Sequence, residues 1–264
     1  MRFSLFLTLS LALAAHDLYL RPRHFTVAAG QSGVVEFHNG DAFPNSQVPP
    51  VLARLKDANI VTPAGSQPLT GLKIADPMAV ASFTAPAKGA FLLTARTTPN
   101  FIELEAKKFE EYLAHESLQH ALDWRAKNGE SAKNGRELYS KYVKSILRVS
   151  PEPDPFVTRP LGLPIEFVPA VDPASLKPGQ PLTIQILLRG KPAPGLHVEA
   201  SSLSTAGAVN QRQLGRTDAQ GRIRVPLDVP GLWKLHAIHI ERRADTKPAD
   251  WESLWASLPF ELRP

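Results

Sequence analysis

The chain has 264 residues, 43% of them apolar, with 25 prolines, 16 glycines and no cysteine. That leaves room for one large or two ordinary domains, argues against a helical bundle along the whole chain, and removes disulfides, thiolate metal sites and cysteine nucleophiles together. The net charge of +5 is small for the length and dispersed, which suits solubility and argues against a nucleic-acid footprint.

Met1-Arg2 is a short positive start, and Phe3 to Ala15 carries no charge. The run is too short to span a bilayer as a helix and ends in small residues, the pattern of a cleaved export signal over residues 1–15. A buried N-terminal helix is the alternative; the abrupt change at His16-Asp17 fits cleavage better. The mature chain is then expected in the periplasm or secreted, with no later run apolar enough to cross a membrane. Ala12-Leu13-Ala14 is the better small-x-small match and would leave Ala15 first. A cut after Ala15, with Leu13 at the minus-three position, would leave His16 as the N-terminus.

From His16 to about Thr98 short strands alternate with turns. Asp17–Leu20, Val34–His38, Ala79–Thr84 and Gly89–Ala95 read as strands, and Asn39-Gly40-Asp41 reads as a turn. Residues 101–148 lack proline and mix charges of both signs. Phe109, Tyr112, Leu113, Leu118 and Leu122, and then Leu138, Tyr142 and Ile146, recur near helical spacing. Two amphipathic helices are expected there, with their aromatics packed as core.

Ser150-Pro-Glu-Pro-Asp-Pro reads as a stiff, extended linker. Strands return at Leu182–Leu188, at His197–Ser202, at Gly231–Ile240 and from Leu254, and Thr217–Arg222 reads as a tight hairpin leading into Ile223. The expected architecture is mainly β. An N-terminal β-sandwich over 16–100 is followed by a two-helix insertion over 101–149, a Pro-rich linker over 150–164, and a C-terminal β-sandwich of immunoglobulin-like size over 165–264.

No Gly-x-Ser-x-Gly, phosphate-binding glycine loop or His-Glu-x-x-His is present, so a hydrolase or nucleotide enzyme is unsupported. The informative residues are eight histidines: His16, His24, His38, His115, His120, His197, His236 and His239. His115 and His120 are five apart and off a common helical face, and His197 has no partner nearby in sequence. His16, if first in the mature chain, offers its α-amine and its ring Nδ1 to one cation through a six-membered chelate. An amine that titrates near pH 8, by ordinary values, gives up its proton to a metal at low cost. Two nitrogens from one residue suit Cu(II) or Ni(II). His16 beginning a strand beside Leu18 and Leu20, with no further role, is the equal alternative.

A further ligand is needed. Alternation from Gly231 puts Trp233, Leu235, Ala237 and His239 on one side and Lys234, His236 and Ile238 on the other. His239, ending an apolar row, is a candidate ligand and equally a candidate core histidine. His236 beside Lys234 is expected to face solvent. His24 and His38, from early strands, are both candidates to lie near the N-terminus.

Ala15-His16-Asp17-Leu18-Tyr19-Leu20-Arg21-Pro22, directly after a leader, resembles the opening of a family of bacterial periplasmic proteins that carry a domain of unknown function. That family is labelled as the periplasmic component of nickel or cobalt transport. The resemblance continues through Lys108–Leu113, Tyr139–Leu147, Gly162–Pro169, Gly190–Pro192, Thr217–Arg222, Gly231–Trp233, Ala237–His239 and Asp250–Glu261. Tyr19 departs from it, since a Trp is more usual there. It implies a β-rich export protein found beside metal or TonB-type uptake systems, and it coincides with His16 and His239. The last domain also resembles prealbumin-like sandwiches, which bears on fold alone.

The leading expectation is an exported protein that binds a divalent transition metal, Ni, Co or Cu, through His16 and His239. Its expected partner is a metal transporter or TonB-dependent receptor. It is not expected to be an enzyme, and neither nucleic acid nor a membrane span is expected. Two alternatives stand beside it: a non-metal envelope interaction module built of sandwiches, and a copper oxidase using an N-terminal His brace.

Overall fold

Alternating apolar residues build the fold of residues 16–264, the part of the chain that the computed structural model describes. The leader expected at residues 1–15 lies outside them. In chain order the strands and helices are β1 (Leu18–Pro22), β2 (Ser32–Asn39), β3 (Leu55–Thr62), β4 (Gly65–Pro68), β5 (Thr70–Ala75), β6 (Met78–Thr84), β7 (Ala90–Thr97) and β8 (Asn100–Leu104). Helices α1 (Ala106–His115) and α2 (Gln119–Lys127) come next, then β9 (Gly135–Arg148), β10 (Ile165–Pro169), β11 (Pro181–Leu188) and β12 (Lys191–Pro192). The chain ends with β13 (His197–Ser204), β14 (Val209–Arg216), β15 (Arg222–Pro226), β16 (Gly231–Arg242) and β17 (Trp251–Leu262). The protein is therefore mainly β with two helices. No described helix is long and apolar enough to cross a membrane.

A nine-stranded sheet, β14-β13-β16-β17-β9-β7-β3-β4 with β8 paired to β9, runs through both halves of the chain. β17 and β9 are its parallel pair, with Trp255 opposite Lys141. The smaller sheet β1-β2-β6-β5 covers the front of its N-terminal half. There Phe91, Leu93 and Ala95 of β7 pack with Leu20, Val35 and Phe37. The sheet formed by β10, β11, β12 and β15 covers the back, where Leu92 and Ile146 join Ile165, Ile184, Trp233 and Leu235 in one core. The two helices occupy the rest of the front, with Phe109, Tyr112 and Leu113 against Trp251 and Trp255.

Three expectations change. Residues 135–148 form β9, not a second helix; both helices lie in the stretch before it. Leu138, Tyr142 and Ile146 are four apart, and a spacing of four keeps one face on a strand as well as on a helix. β9 is covered on both faces, so polar alternation does not betray it, whereas its Tyr, Val and Ile favour a strand. Helix α1 docks where Gly135 lies under Phe109, since a Cβ there would fall 2.0 Å from the ring.

The Pro-rich connector is docked along much of its length. Phe156 and Val157 are buried, and Leu161 and Leu163 pack against the back core. Asp172 accepts both guanidinium nitrogens of Arg148 at 2.8 and 3.2 Å as well as the Asp154 N–H, which fastens the connector to β9. Finally, the Thr217–Arg222 turn is no hairpin. It carries the chain from β14 in the large sheet to β15 in the back sheet, where β15 pairs with β11.

Candidate functional site

The front of the large sheet has a seam between the β1 sheet and the helices, and the first described residues lie in it. β1 is held there by Ser257 of β17, whose hydroxyl donates to the Leu18 carbonyl at 2.8 Å. His16 and Asp17 therefore sit over β16, β17 and β9. Strand alternation aims Lys234 and His236 of β16, Trp255 of β17 and Lys141 of β9 at them.

Asp17 is buried between two cations. Lys234 Nζ donates to Oδ2, and His236 Nδ1 lies 3.2 Å from Oδ1. His236 Nε2 faces Glu116, at the end of α1, at 3.6 Å. These imidazole contacts are charge pairings without the alignment of a hydrogen bond at Nδ1. Burial alone would raise the Asp17 carboxyl, but His236 and Lys234 override it and hold it far below the usual carboxylate range. Burial alone would lower His236, but Asp17 and Glu116 push it up to about 10. The expectation that His236 faces solvent is therefore corrected: it is 6% exposed, because the N-terminal segment and α1 close over this face of β16.

His16 places Nδ1 3.1 Å from Asp41 Oδ2, and the next residue's N–H donates to Asp41 Oδ1 at 3.4 Å. Lys141 Nζ donates to the His16 carbonyl and lies over the Tyr139 and Trp255 rings. Burial pulls this amine down to about 8, against the pull of Asp17 and Asp41. Asp41 belongs to the turn after β2, which Gln47 steadies by accepting the Asp41 N–H.

Beside Asp17 and Asp41 opens a polar cleft of about 330 Å³. Asp17, Asp41, His115, Glu116, Lys234 and His236 line one part of it; Glu199, Ser201 and Gln211 to Gln213 of the β13–β14 edge line the other, with Trp255 also on its wall. Among the described residues no three His, Asp or Glu side chains are arranged to hold a metal ion by themselves.

The structure does not bring His16 and His239 together. His239 points from β16 to the face opposite Lys234 and His236, where Nε2 is 3.2 Å from Glu241 and the ring borders a groove under Arg189 to Leu196. The other histidines are dispersed. His38 is buried, stacked on Tyr19 with centroids 5.0 Å apart and 3.0 Å from Glu36. His24 is exposed, His120 donates to the Ile240 carbonyl, and His197 contacts Gln213. Asp41 and the Asp17–Lys234–His236 cluster escape sequence reasoning, because their partners are up to 217 residues apart and no spacing signals them.

Behind the Trp255 wall, Glu137 is fully buried and accepts from Ser253 and from the Tyr112 hydroxyl, with no cation bonded to it. Burial raises its carboxyl to about 7, and the two hydroxyl donors limit the rise. A carboxyl whose folded pKa lies above its unfolded one favours folding below the unfolded value, and that contribution is lost as pH rises through the folded value. Glu137→Gln keeps the acceptor and removes the charge. Its stability is expected to match the parent at pH 4 and to exceed it at pH 8 by up to about 3 kcal/mol. Scanning calorimetry at the two pH values checks this; equal stability at pH 8 would contradict it.

The family described as domain of unknown function DUF4198 matches residues 13–241. No curated protein matches the chain. Among solved structures, an Escherichia coli adhesin, FdeC, is similar at 15% identity and a TM-score of 0.25, with 93% of this chain and 65% of that chain covered.

Proposed function

The chain belongs to the DUF4198 family, so its function is read from the site itself, and we propose that it is an exported protein that binds a divalent transition metal, nickel, cobalt or copper, for uptake or homeostasis. The supporting observation is the 3.1 Å approach of His16 Nδ1 to Asp41 Oδ2 at the rim of a polar cleft. Two ligands at right angles on one ion, each about 2.1 Å from it, stand about 3.0 Å apart. Cleavage after Ala15 would add the α-amine of His16, and the donor set becomes amine, imidazole and carboxylate. A His brace needs a second imidazole facing the first; here His16 faces a carboxylate. This reading gives the metal to His16 and Asp41, and leaves His239 on the other face of the sheet.

Titration calorimetry with Ni(II) on a chain beginning at His16 tests it. One ion per protein is expected, with affinity at least about tenfold weaker in His16→Ala and in Asp41→Asn, and unchanged in His239→Ala. A chain that keeps Ala15 has lost the six-membered amine chelate and is expected to bind less tightly. Equal affinity in His16→Ala, Asp41→Asn and the parent would sink the proposal.

A further inference from the structure

We infer that the polar cleft binds a small organic cation that carries N–H donors, a primary amine or a guanidine, on its β13–β14 floor. The binding side chains are other than His16 and Asp41, so the site stands apart from the metal. Cross-strand pairing lays Gln213, Glu199 and His236 in one row of the sheet and Gln211, Ser201 and Lys234 in the next. The β1 sheet and the helices cover other parts of this face with apolar side chains. Here the face is polar and opens into about 330 Å³, within the range of small-molecule sites. Its floor offers acceptors. Ser201 is 5% exposed, and its hydroxyl, on the cleft wall, meets no hydrogen-bond partner among the described residues. Gln211 donates its amide N–H to the Asp41 carbonyl at 3.2 Å, and its own amide oxygen accepts nothing among them. Glu199 accepts the Gln213 amide on Oε1, which leaves Oε2 open. A buried polar group requires a partner, and three acceptors at adjacent positions require one with several donors. An ammonium has three N–H groups and a guanidinium five.

Charge selects the sign. Lys234 and His236 are matched by Asp17 and Glu116, and Arg212 is matched by Asp228 at 2.9 Å. Lys141, beneath the His16 carbonyl, is matched by Asp41. Glu199 is half-buried and forms no ion pair among the described residues, so the cleft carries one uncompensated negative charge. An anion would be repelled there, and a neutral molecule would cover the carboxylate without matching it. One cation restores neutrality. A divalent ion on Asp41 would add two positive charges and reverse the sign of the cleft, so the site is tested on metal-free protein.

Titration calorimetry at pH 7, in the presence of a chelator, compares butylamine, butylguanidine, tetramethylammonium and butyrate. One equivalent of butylamine or butylguanidine is expected to bind with a Kd of about 1 mM or below, and the other two at least about tenfold more weakly. Glu199→Gln keeps the shape of the side chain and removes its charge; it is expected to weaken binding at least about tenfold, and Ser201→Ala about threefold. Lys191→Gln, an exposed change at the groove on the opposite face, is expected to leave binding within about twofold of the parent. Tetramethylammonium bound as tightly as butylamine overturns the requirement for N–H donors. Butyrate bound in place of the cations overturns the charge assignment. No binding of either N–H cation, or parent affinity in Glu199→Gln, overturns the site. The nickel titrations of His16→Ala and Asp41→Asn are read separately, so the two readings fail independently.

Discussion

Glu166→Ala is expected to cost about 3–5 kcal/mol of folding stability, because it leaves a lysine buried without its counter-charge. Glu166 and Lys144 are 1% and 3% exposed at their side chains, and Nζ donates to Oε2 at 2.8 Å. The same carboxylate accepts the Leu161 and Gly162 N–H groups at 2.9 and 2.8 Å, so it also ties the connector to β10. Burial already pulls the Lys144 amine below its ordinary value, and Glu166 is what opposes this. Two companions separate charge from hydrogen bonding. Glu166→Gln keeps the acceptor for the two N–H groups and is expected to lose less. Adding Lys144→Met to Glu166→Ala removes the stranded amine and is expected to recover part of the loss. Urea unfolding midpoints give the order; a loss under about 1 kcal/mol in Glu166→Ala would show that the pair contributes little.

Asp17→Asn is the second large effect, expected at about 3–5 kcal/mol, since Lys234 and His236 are both buried against that one carboxylate. It carries a pH signature. His236 is raised from its ordinary 6.5 to about 10, so its stabilising contribution is complete below pH 6.5 and is lost as pH rises toward 10. Lys141, lowered to about 8 from 10.5, acts in the opposite sense: stability recovers between those values as its charged form, disfavoured by burial, disappears. Between pH 6.5 and 8 the parent is therefore expected to lose stability through His236 and, in the same sense, through Glu137, whose folded value is about 7; Asp17→Asn is expected to be flatter by the His236 share alone. Chemical denaturation at pH 6.5 and 8 reads it. A parent with equal stability at both values would remove His236 as the titrating group.

Much of the β architecture was legible because alternation is a local signal. Phe37, Val35 and Leu20, or Leu235, Ala237 and Trp233, are placed on their buried faces by a period of two, whatever lies opposite. β9 was not legible for the same reason in reverse: it is covered on both faces, and its four-residue spacing fits either regular structure. The edge strands β4 and β5 are largely exposed, so no apolar row announced them. His16 stood out through the uncharged run before it in the sequence. Asp41 did not, since a carboxylate in an Asn-Gly-Asp turn reads as turn chemistry until the fold brings His16 to it.

What the sequence determined by itself was a mainly β chain without cysteine, with His16 following an uncharged run and with His236 and His239 on opposite faces of one strand. Those properties depend on composition and short-range period alone. The tertiary structure decided that one sheet serves both halves, that His236 is buried, and that His16 meets Asp41 while His239 does not. Each of these is a pairing over a long sequence separation, fixed by which faces are covered and which charges must be matched once water is excluded.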